Sequence, residues 1–489
     1  MFIPIDRNSS ETITEQIVRG IKNLISDGYL KKGSKLPSTR ELANSLSVNR
    51  NTVVASYDLL IDAGIIESQV GMGTVVVKNL PRRKVTSIGH RFPWADSFVG
   101  SSYPVINSWV SNSIDDVDKP ISFLRAYGGN DDLKKEYIRI LTRLSRNIGL
   151  KSLSMTLNTG YAPLINELKK RIALSGVDMR ERSLMITPGG TPANTLVLSL
   201  LVKPGSAVVI ERPTYFQTIR WLRWNNCRII EVPMTEHGMD LESLSSVLGR
   251  GDVKLIYTQP NCHNPTGITT DSNHKRKLLE IANDNHVPIL EDNYLFSHSF
   301  VNTRNPSLCV WDKYGSVIST SSISKFLGQS ARLGFISAPE RVIAQLEHLM
   351  CFHFGPSNAL AQMALYELIT SKSFSKSLER WTKKINKTKN LMIDTLKKNI
   401  GEICNIWTPD SLSIWIETPG ISGEVIAARC AKENVHILQG SCFVPESHGL
   451  NAIRLSLTEI ENEKEIIKGA SVISKAILSG PESIMETGF

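Results

Sequence analysis

The sequence predicts a chain in two parts: a small helical module ending in a β-hairpin, then a large α/β domain built on a mostly parallel sheet. Three observations carry this. Residues 13–77 hold three short helix-like patterns followed by two short strand-like runs around glycines. From Gly160 onward, short apolar strand-like runs alternate with helix-length segments, the pattern of a parallel sheet covered on both faces. Glycines, carboxylates, amides and one lysine cluster just after those runs, where such sheets bind ligands.

Composition bounds the answer. A chain of 489 residues can hold two or more domains. With 41% hydrophobic and 21% charged residues it reads as a soluble globular protein. No apolar run approaches the ~20 residues that span a bilayer, and Met1–Asp6 lacks a signal-peptide pattern, so no membrane and a cytoplasmic location are expected. The seven cysteines are scattered without a Cys-x-x-Cys pair. Neither a metal site nor a disulfide framework is expected, and the thiols are read as reduced and mostly buried. The net charge is +9, and residues 1–84 hold 12 Lys+Arg against 8 Asp+Glu. A basic N-terminal part suits a polyanion such as DNA.

In chain order, Ile13, Ile17, Ile21 and Leu24 recur at helical spacing. Gly28 and Gly33 interrupt the chain. Ser38 followed by Glu41 reads as a capping box that starts a second helix, ending near Leu46 and Ser47. Asn49 reads as the cap of a third. Its apolar side is Val53, Tyr57, Leu60 and Ile61, its polar side Asn49, Thr52 and Ser56, and Gly64 stops it. Residues 65–70 and 74–77, joined by Gly71-Met72-Gly73, read as a hairpin. Two short helices with a tight turn and then a two-stranded wing make a winged helix-turn-helix. Over residues 10–78 the sequence resembles the GntR-type DNA-binding domain. The matching residues are Leu36-Pro37-Ser38, Arg40, Leu42-Ala43, Val48, Arg50, Thr52-Val53 and the wing glycines. The resemblance implies a double-stranded DNA operator met by Arg40, Asn49, Arg50 and Thr52, with Gly71 and Gly73 in the wing.

Domain boundaries are expected at 1–79, 80–118 and 119–489. The middle stretch opens on Pro81-Arg82-Arg83-Lys84, lacks periodicity and contains Phe92-Pro93-Trp94, Tyr103-Pro104 and Trp109. It reads as an irregular connector. A helix pattern follows over residues 131–147, through Leu133, Tyr137, Ile140, Leu141 and Leu144.

In the large domain, strands are expected at 183–187, 207–210, 253–257, 287–290 and 317–320, and helices at 163–174 and 193–201. Gly189-Gly190-Thr191 lies between a strand and a helix, where backbone amides favour a phosphate. Tyr215 follows the next strand and can stack on a flat ring. Asn264-Pro265-Thr266-Gly267 is a rigid turn with a candidate cis peptide bond. Asp292 ends an apolar strand, and a buried carboxylate needs a cationic partner, for which a pyridinium nitrogen would serve. Lys325 follows the last strand-like run, with Ser322 and Ser324 just before it and Arg332 seven residues on. A desolvated lysine keeps a nucleophilic amine that can form a Schiff base with an aldehyde cofactor.

Over residues 150–475 these segments resemble the fold-type I aminotransferases that depend on pyridoxal 5'-phosphate, with their large and small domains. With the N-terminal winged helix-turn-helix, the whole chain looks like the MocR-type subfamily of GntR regulators. The resemblance implies that Lys325 is the catalytic residue and carries the cofactor. Asp292 would pair with the ring nitrogen, Asn264 and Tyr294 would bond the phenolic oxygen, and Tyr215 would stack on the ring. Gly190, Thr191, Ser322, Ser324 and Arg332 would hold the phosphate. Asn451-Ala452-Ile453-Arg454-Leu455-Ser456 matches the substrate-carboxylate arginine, so Arg454 would bind the carboxylate of a small amino compound, with Asn264 also at the substrate. A homodimer is also implied.

Three departures stand out. Met155 replaces a tyrosine that usually reaches the partner subunit's cofactor phosphate. Thr191-Pro192 replaces common glutamines, and Asn166 replaces an arginine. They weigh against full transaminase efficiency and leave cofactor binding intact. The expected function is a cofactor-dependent transcription regulator that senses an amino compound or pyridoxal phosphate. The alternative is an active aminotransferase with an accessory DNA-binding module.

Overall fold

The computed structural model describes residues 3–69, 73–81, 120–124, 129–149, 158–294, 305–407, 411–446, 450–460 and 462–480. They fall into two compact units, residues 3–81 in one and 120–480 in the other. The connector and its aromatics, Gly71 and Met155 lie outside the described residues.

In the small unit, α1 (Ile13–Ser26), α2 (Thr39–Leu46) and α3 (Arg50–Asp62) precede the antiparallel pair β1 (Ile66–Gln69) and β2 (Gly73–Val76). Each helix start is chemically marked. Thr12 with Glu15, and Ser38 with Glu41, form capping boxes, and the Asn49 side chain accepts from Asn51 N at 2.9 Å. α2 ends on Ser47 in the left-handed conformation, which lets the chain turn at once into α3. Ile17, Ile21, Leu42, Val53 and Leu60 form a core with almost no exposure, and the Tyr57 hydroxyl donates to Pro37 O at 2.7 Å. Two details differ from the sequence expectation. Ile61 is exposed. Ser56 is fully buried rather than on the polar face, because its hydroxyl donates to Thr52 O and Thr14 O and packs α3 on α1.

The large unit holds an eight-stranded sheet in the order β4-β11-β10-β9-β8-β5-β6-β7. After the short strand β3 (Ile121–Ser122), its strands are β4 (Arg182–Thr187), β5 (Ala207–Arg212), β6 (Arg228–Thr235), β7 (Gly238–Met239), β8 (Val253–Thr258), β9 (Ile289–Asn293), β10 (Val317–Ser322) and β11 (Gly334–Pro339). Strands β6, β5, β8, β9 and β10 run parallel, while β11 runs against both β10 and β4. The central strands are apolar on both faces, as Val208, Val209, Ile256, Ile289 and Leu290 show, because helices cover both sides. Gly334 is needed where β11 begins: a Cβ there would sit 2.6 Å from Gly189 C and Ser321 O.

A second sheet, in the order β12-β13-β16-β15, is built from β12 (Asn405–Trp407), β13 (Ser413–Glu417), β15 (Leu438–Gln439) and β16 (Ala452–Ser456). The two-residue strand β14 (Val435–His436) pairs with β3. Helices Phe374–Ile400, Gly423–Lys432 and Glu463–Leu478 pack on this smaller part and share its apolar core. The expected strands are all present. The helix after β4 starts at Gly190, so Thr191 and Pro192 belong to its first turn rather than to the preceding loop.

Replacing Ser38 with alanine in the full chain should speed amide exchange in α2 about fivefold, corresponding to loss of a ~1 kcal/mol cap. Unchanged exchange at Glu41 and Leu42 would contradict the capping role.

Candidate functional site

The carboxyl ends of β4, β5, β8, β9 and β10 converge on one pocket. Its empty volume is about 520 Å³, including the part open to solvent. Its lining contains Gly190, Thr191, Tyr215, Asn264, Asp292, Tyr294, Ser322, Lys325 and Arg332. These nine sequence-selected residues are brought together from segments spread between Gly190 and Arg332. Ser324 opens the short helix Ser324–Leu327 next to Lys325.

Asp292 sits near the end of β9, 3% exposed. Three neutral donors converge on a single oxygen, Oδ2: Asn194 Nδ2 and the Tyr257 hydroxyl at 2.8 Å, and Gln259 Nε2 at 3.0 Å. Asn194 is itself oriented by Thr320, whose hydroxyl donates to its Oδ1 at 2.5 Å. Burial pushes the Asp292 carboxyl above its usual range, against these hydrogen bonds and the nearby Lys325 charge. A cation bound beside Asp292 would oppose that rise.

Lys325 is partly buried, its Nζ 5.5 Å from the Tyr294 ring centroid. Burial lowers its amine to about 8, helped by Arg454 and opposed by Asp292. A usable fraction of free amine therefore exists near neutral pH. Tyr294 is buried, and its phenol is pushed well up by burial, so it stays protonated.

At the other end, the turn Pro188–Gly189 leads into the helix Gly190–Leu201. Gly189 has φ +122°, a conformation that favours glycine. The Arg332 guanidinium lies over it, with Cζ 3.5 Å from where a Cβ would stand. Arg332 is exposed and has no ion-pair partner among the described residues. Ser322 flanks Gly190, and Thr191 Oγ1 lies 3.3 Å from the Tyr215 hydroxyl. A cationic fork and a helix N-terminus aimed at one place form an anion cradle.

Asn264 is placed by a turn with a cis Asn264–Pro265 bond, as the sequence anticipated; Arg212–Pro213 is also cis. Arg454 lies on β16, paired with Trp415 on β13 and Leu438 on β15. It is 3% exposed, its guanidinium bonds Leu124 O, and its Nη1 reaches Asn264 Oδ1 at 3.5 Å. The smaller part of the unit thus delivers a buried arginine to the pocket edge.

Sequence reasoning missed Asn194, Gln259 and Tyr257. Asn194 stands one helical turn after Gly190, a spacing that was readable. Tyr257 and Gln259 resemble strand core and strand end, and only the fold reveals that both face Asp292.

In the small unit, Arg40, Asn49 and Arg50 are exposed at the starts of α2 and α3, and Thr52 is partly exposed in the first turn of α3. Arg50 Nε lies 3.5 Å from Thr39 Oγ1, which brings the two helix starts together. Asn49 also caps α3. Gly73 begins β2 with φ +88°.

The aminotransferase class I and II family matches residues 130–468, and the chain belongs to it. Residues 13–76 match the gntR family of bacterial regulatory proteins, so a GntR DNA-binding domain is fused to an aminotransferase class I and II domain. This arrangement is consistent with MocR-type regulators. The chain is 26% identical to the HTH-type transcriptional regulator YdfD of Bacillus subtilis over 90% of this chain and 91% of that protein. It is 26% identical to the HTH-type transcriptional regulator NorG of Staphylococcus aureus, covering 78% and 86%. Among solved structures, LysN, an α-aminoadipate aminotransferase of Thermus thermophilus complexed with N-(5'-phosphopyridoxyl)-L-leucine, is 27% identical. It covers 79% of this chain and 99% of its own with a TM-score of 0.70.

In cofactor-free protein, labelling of Lys325 by a small amine-reactive reagent should rise with pH through a midpoint near about 8. Peptide mass mapping reads it. A midpoint near the ordinary lysine value of ~10.4 would contradict the desolvated environment.

Proposed function

We propose that the chain is a transcription regulator that binds double-stranded DNA through its small unit and senses an amino compound, or pyridoxal phosphate itself, in its large unit. The observation that carries this is a pocket that joins a desolvated lysine, a buried carboxylate and an arginine-topped anion cradle. The residues fit pyridoxal phosphate at both ends: Asp292 is buried with its proton affinity raised, and Arg332 stands over Gly189. When bound, the cofactor supplies an aldehyde that captures an amine and a ring that withdraws its electrons.

In this reading Lys325 would hold the cofactor through its amine. Asp292 would pair with the ring nitrogen, Asn264 and Tyr294 would bond the phenolic oxygen, and Tyr215 would stack on the ring. Gly190, Thr191, Ser322, Ser324 and Arg332 hold the phosphate. Arg454, beside Asn264, binds the carboxylate of an amino-acid-like effector. An effector that binds two conformations of the large unit unequally would shift DNA affinity. A homodimer would present two DNA-binding units to two half-sites. Arg40, Asn49, Arg50 and Thr52, with the wing glycines Gly71 and Gly73, meet DNA in this reading, Arg40 and Arg50 by phosphate or guanine contacts.

A second reading, an active aminotransferase, is favoured by the Lys325 amine near about 8, which suits it to accept and return a proton at Nζ. Turnover with a keto-acid acceptor at roughly 1–1000 per second would support it. Slow or absent turnover, with effector-dependent DNA binding, would support the sensor.

Purified protein incubated with pyridoxal phosphate should show a visible absorbance band, and borohydride should fix one pyridoxyl group at Lys325. A colourless, unmodified protein would overturn the reading. The Lys325→Ala protein should lose the band and the effector response while still shifting DNA from the region of its own or neighbouring genes. Arg40→Ala should weaken DNA binding measurably. If Arg40 contacts a phosphate, the slope of log affinity against log salt should fall by about 0.9; if it contacts a guanine, preference at one base pair should relax by about 1–3 kcal/mol. Unaltered affinity and slope would remove Arg40 from the interface.

A further inference from the structure

We infer that Glu211 and His263 form a positioning pair that holds Gln259 against Asp292, and so tunes the pocket from outside it. This rests on the cofactor reading above. Neither residue lines the pocket, and both are buried, Glu211 2% and His263 0% exposed.

The need for the pair arises where the chain leaves the sheet. β8 ends at Thr258, and the next residue, Gln259, is 1% exposed. A buried backbone N–H with no ladder partner must find an acceptor. Glu211, on the neighbouring strand β5, supplies it: Gln259 N donates to both carboxylate oxygens, at 3.2 and 3.0 Å. The Thr258 hydroxyl donates to Glu211 Oε1 at 2.6 Å. His263 Nε2 stands 3.2 Å from Glu211 Oε2, an ion-pair distance. At that distance the ring faces the carboxylate without hydrogen-bond geometry, for Nε2 has no hydrogen-bond partner among the described residues. On the opposite side of the ring, His263 Nδ1 and Thr266 Oγ1 are 2.7 Å apart, and Thr266 lies in the Asn264–Gly267 turn. Glu211 thus clamps the loop at its start, through Gln259, and meets it near its turn, where the His263 ring stands against the carboxylate.

The clamped residue acts on two pocket groups. Gln259 Nε2 donates to Asp292 Oδ2 at 3.0 Å, and Gln259 Oε1 accepts from Asn264 N at 3.0 Å. One side chain therefore orients the carboxylate assigned to the ring nitrogen and anchors the backbone of Asn264, whose side chain is assigned to the phenolic oxygen. Site groups need placement within ~0.5 Å to act, so a shift of the Gln259 backbone is felt at both. Glu211→Gln would turn an amide donor toward the Gln259 N–H or the Thr258 hydroxyl and weaken the clamp.

The test compares full-length wild type, Glu211→Gln and the gentler Thr266→Val, each titrated with pyridoxal phosphate. Circular dichroism of the cofactor-free proteins checks folding. In Glu211→Gln, cofactor affinity should fall about tenfold and the pH midpoint of the cofactor absorbance band should move by about 0.5 pH or more. Thr266→Val should move both in the same direction by less. A purely structural role would lower thermal stability and leave the midpoint in place. A folded Glu211→Gln with wild-type midpoint and affinity overturns the inference. If Glu211→Gln does not fold, Thr266→Val with wild-type values overturns it. If wild type itself forms no band, the cofactor reading fails first and the inference falls with it.

Discussion

The large unit is organised around a carboxylate kept away from water. Asp292 is placed by β9 where three neutral donors can reach one of its oxygens. Neutral donors offset only part of the cost of burying charge, and the residual is visible as a raised proton affinity. Such a group is a poor choice for stability alone. Its presence at the floor of a pocket that also contains a desolvated lysine points to a ligand that supplies positive charge.

The sheet explains why these groups meet. In a parallel sheet every strand ends at the same edge, so residues far apart in sequence arrive together. The register aligns Asp292 on β9 with Thr320 on β10, and Glu291 beside it with Thr258 on β8. β11 returns between β10 and β4, and Gly334 lets it pass close to Gly189. That close approach brings the Arg332 loop over the glycine turn. The smaller part adds Arg454 from a separate sheet. Its burial against Phe443, with the guanidinium 5.6 Å from the ring centroid, fixes its direction.

The small unit works by different physics. Its core is three helices and a hairpin, and its polar helix starts are exposed. A residue at a helix start can face a groove edge or a phosphate while its backbone stays capped. Asn49 illustrates the constraint: the side-chain oxygen that caps α3 is already engaged.

Much of this was legible in one dimension. Capping boxes, helix spacing and wing glycines are local signals, and local backbone energetics suffice to set them. The order of Gly190, Tyr215, Asn264, Asp292, Lys325, Arg332 and Arg454 was readable because each follows or lies in a recognisable strand. Side-chain direction was not readable. Ser56 resembled a polar-face residue and is buried, whereas Ile61 resembled core and is exposed. Tyr257 and Gln259 gave no sign that they bond Asp292. The sequence alone determined the elements, their order and the chemical groups at the strand ends, because spacing and capping depend on near neighbours. Only the tertiary structure decided which polar atoms share a carboxylate, because those partners come from strands and helices up to 98 residues apart and meet only when the sheet is assembled.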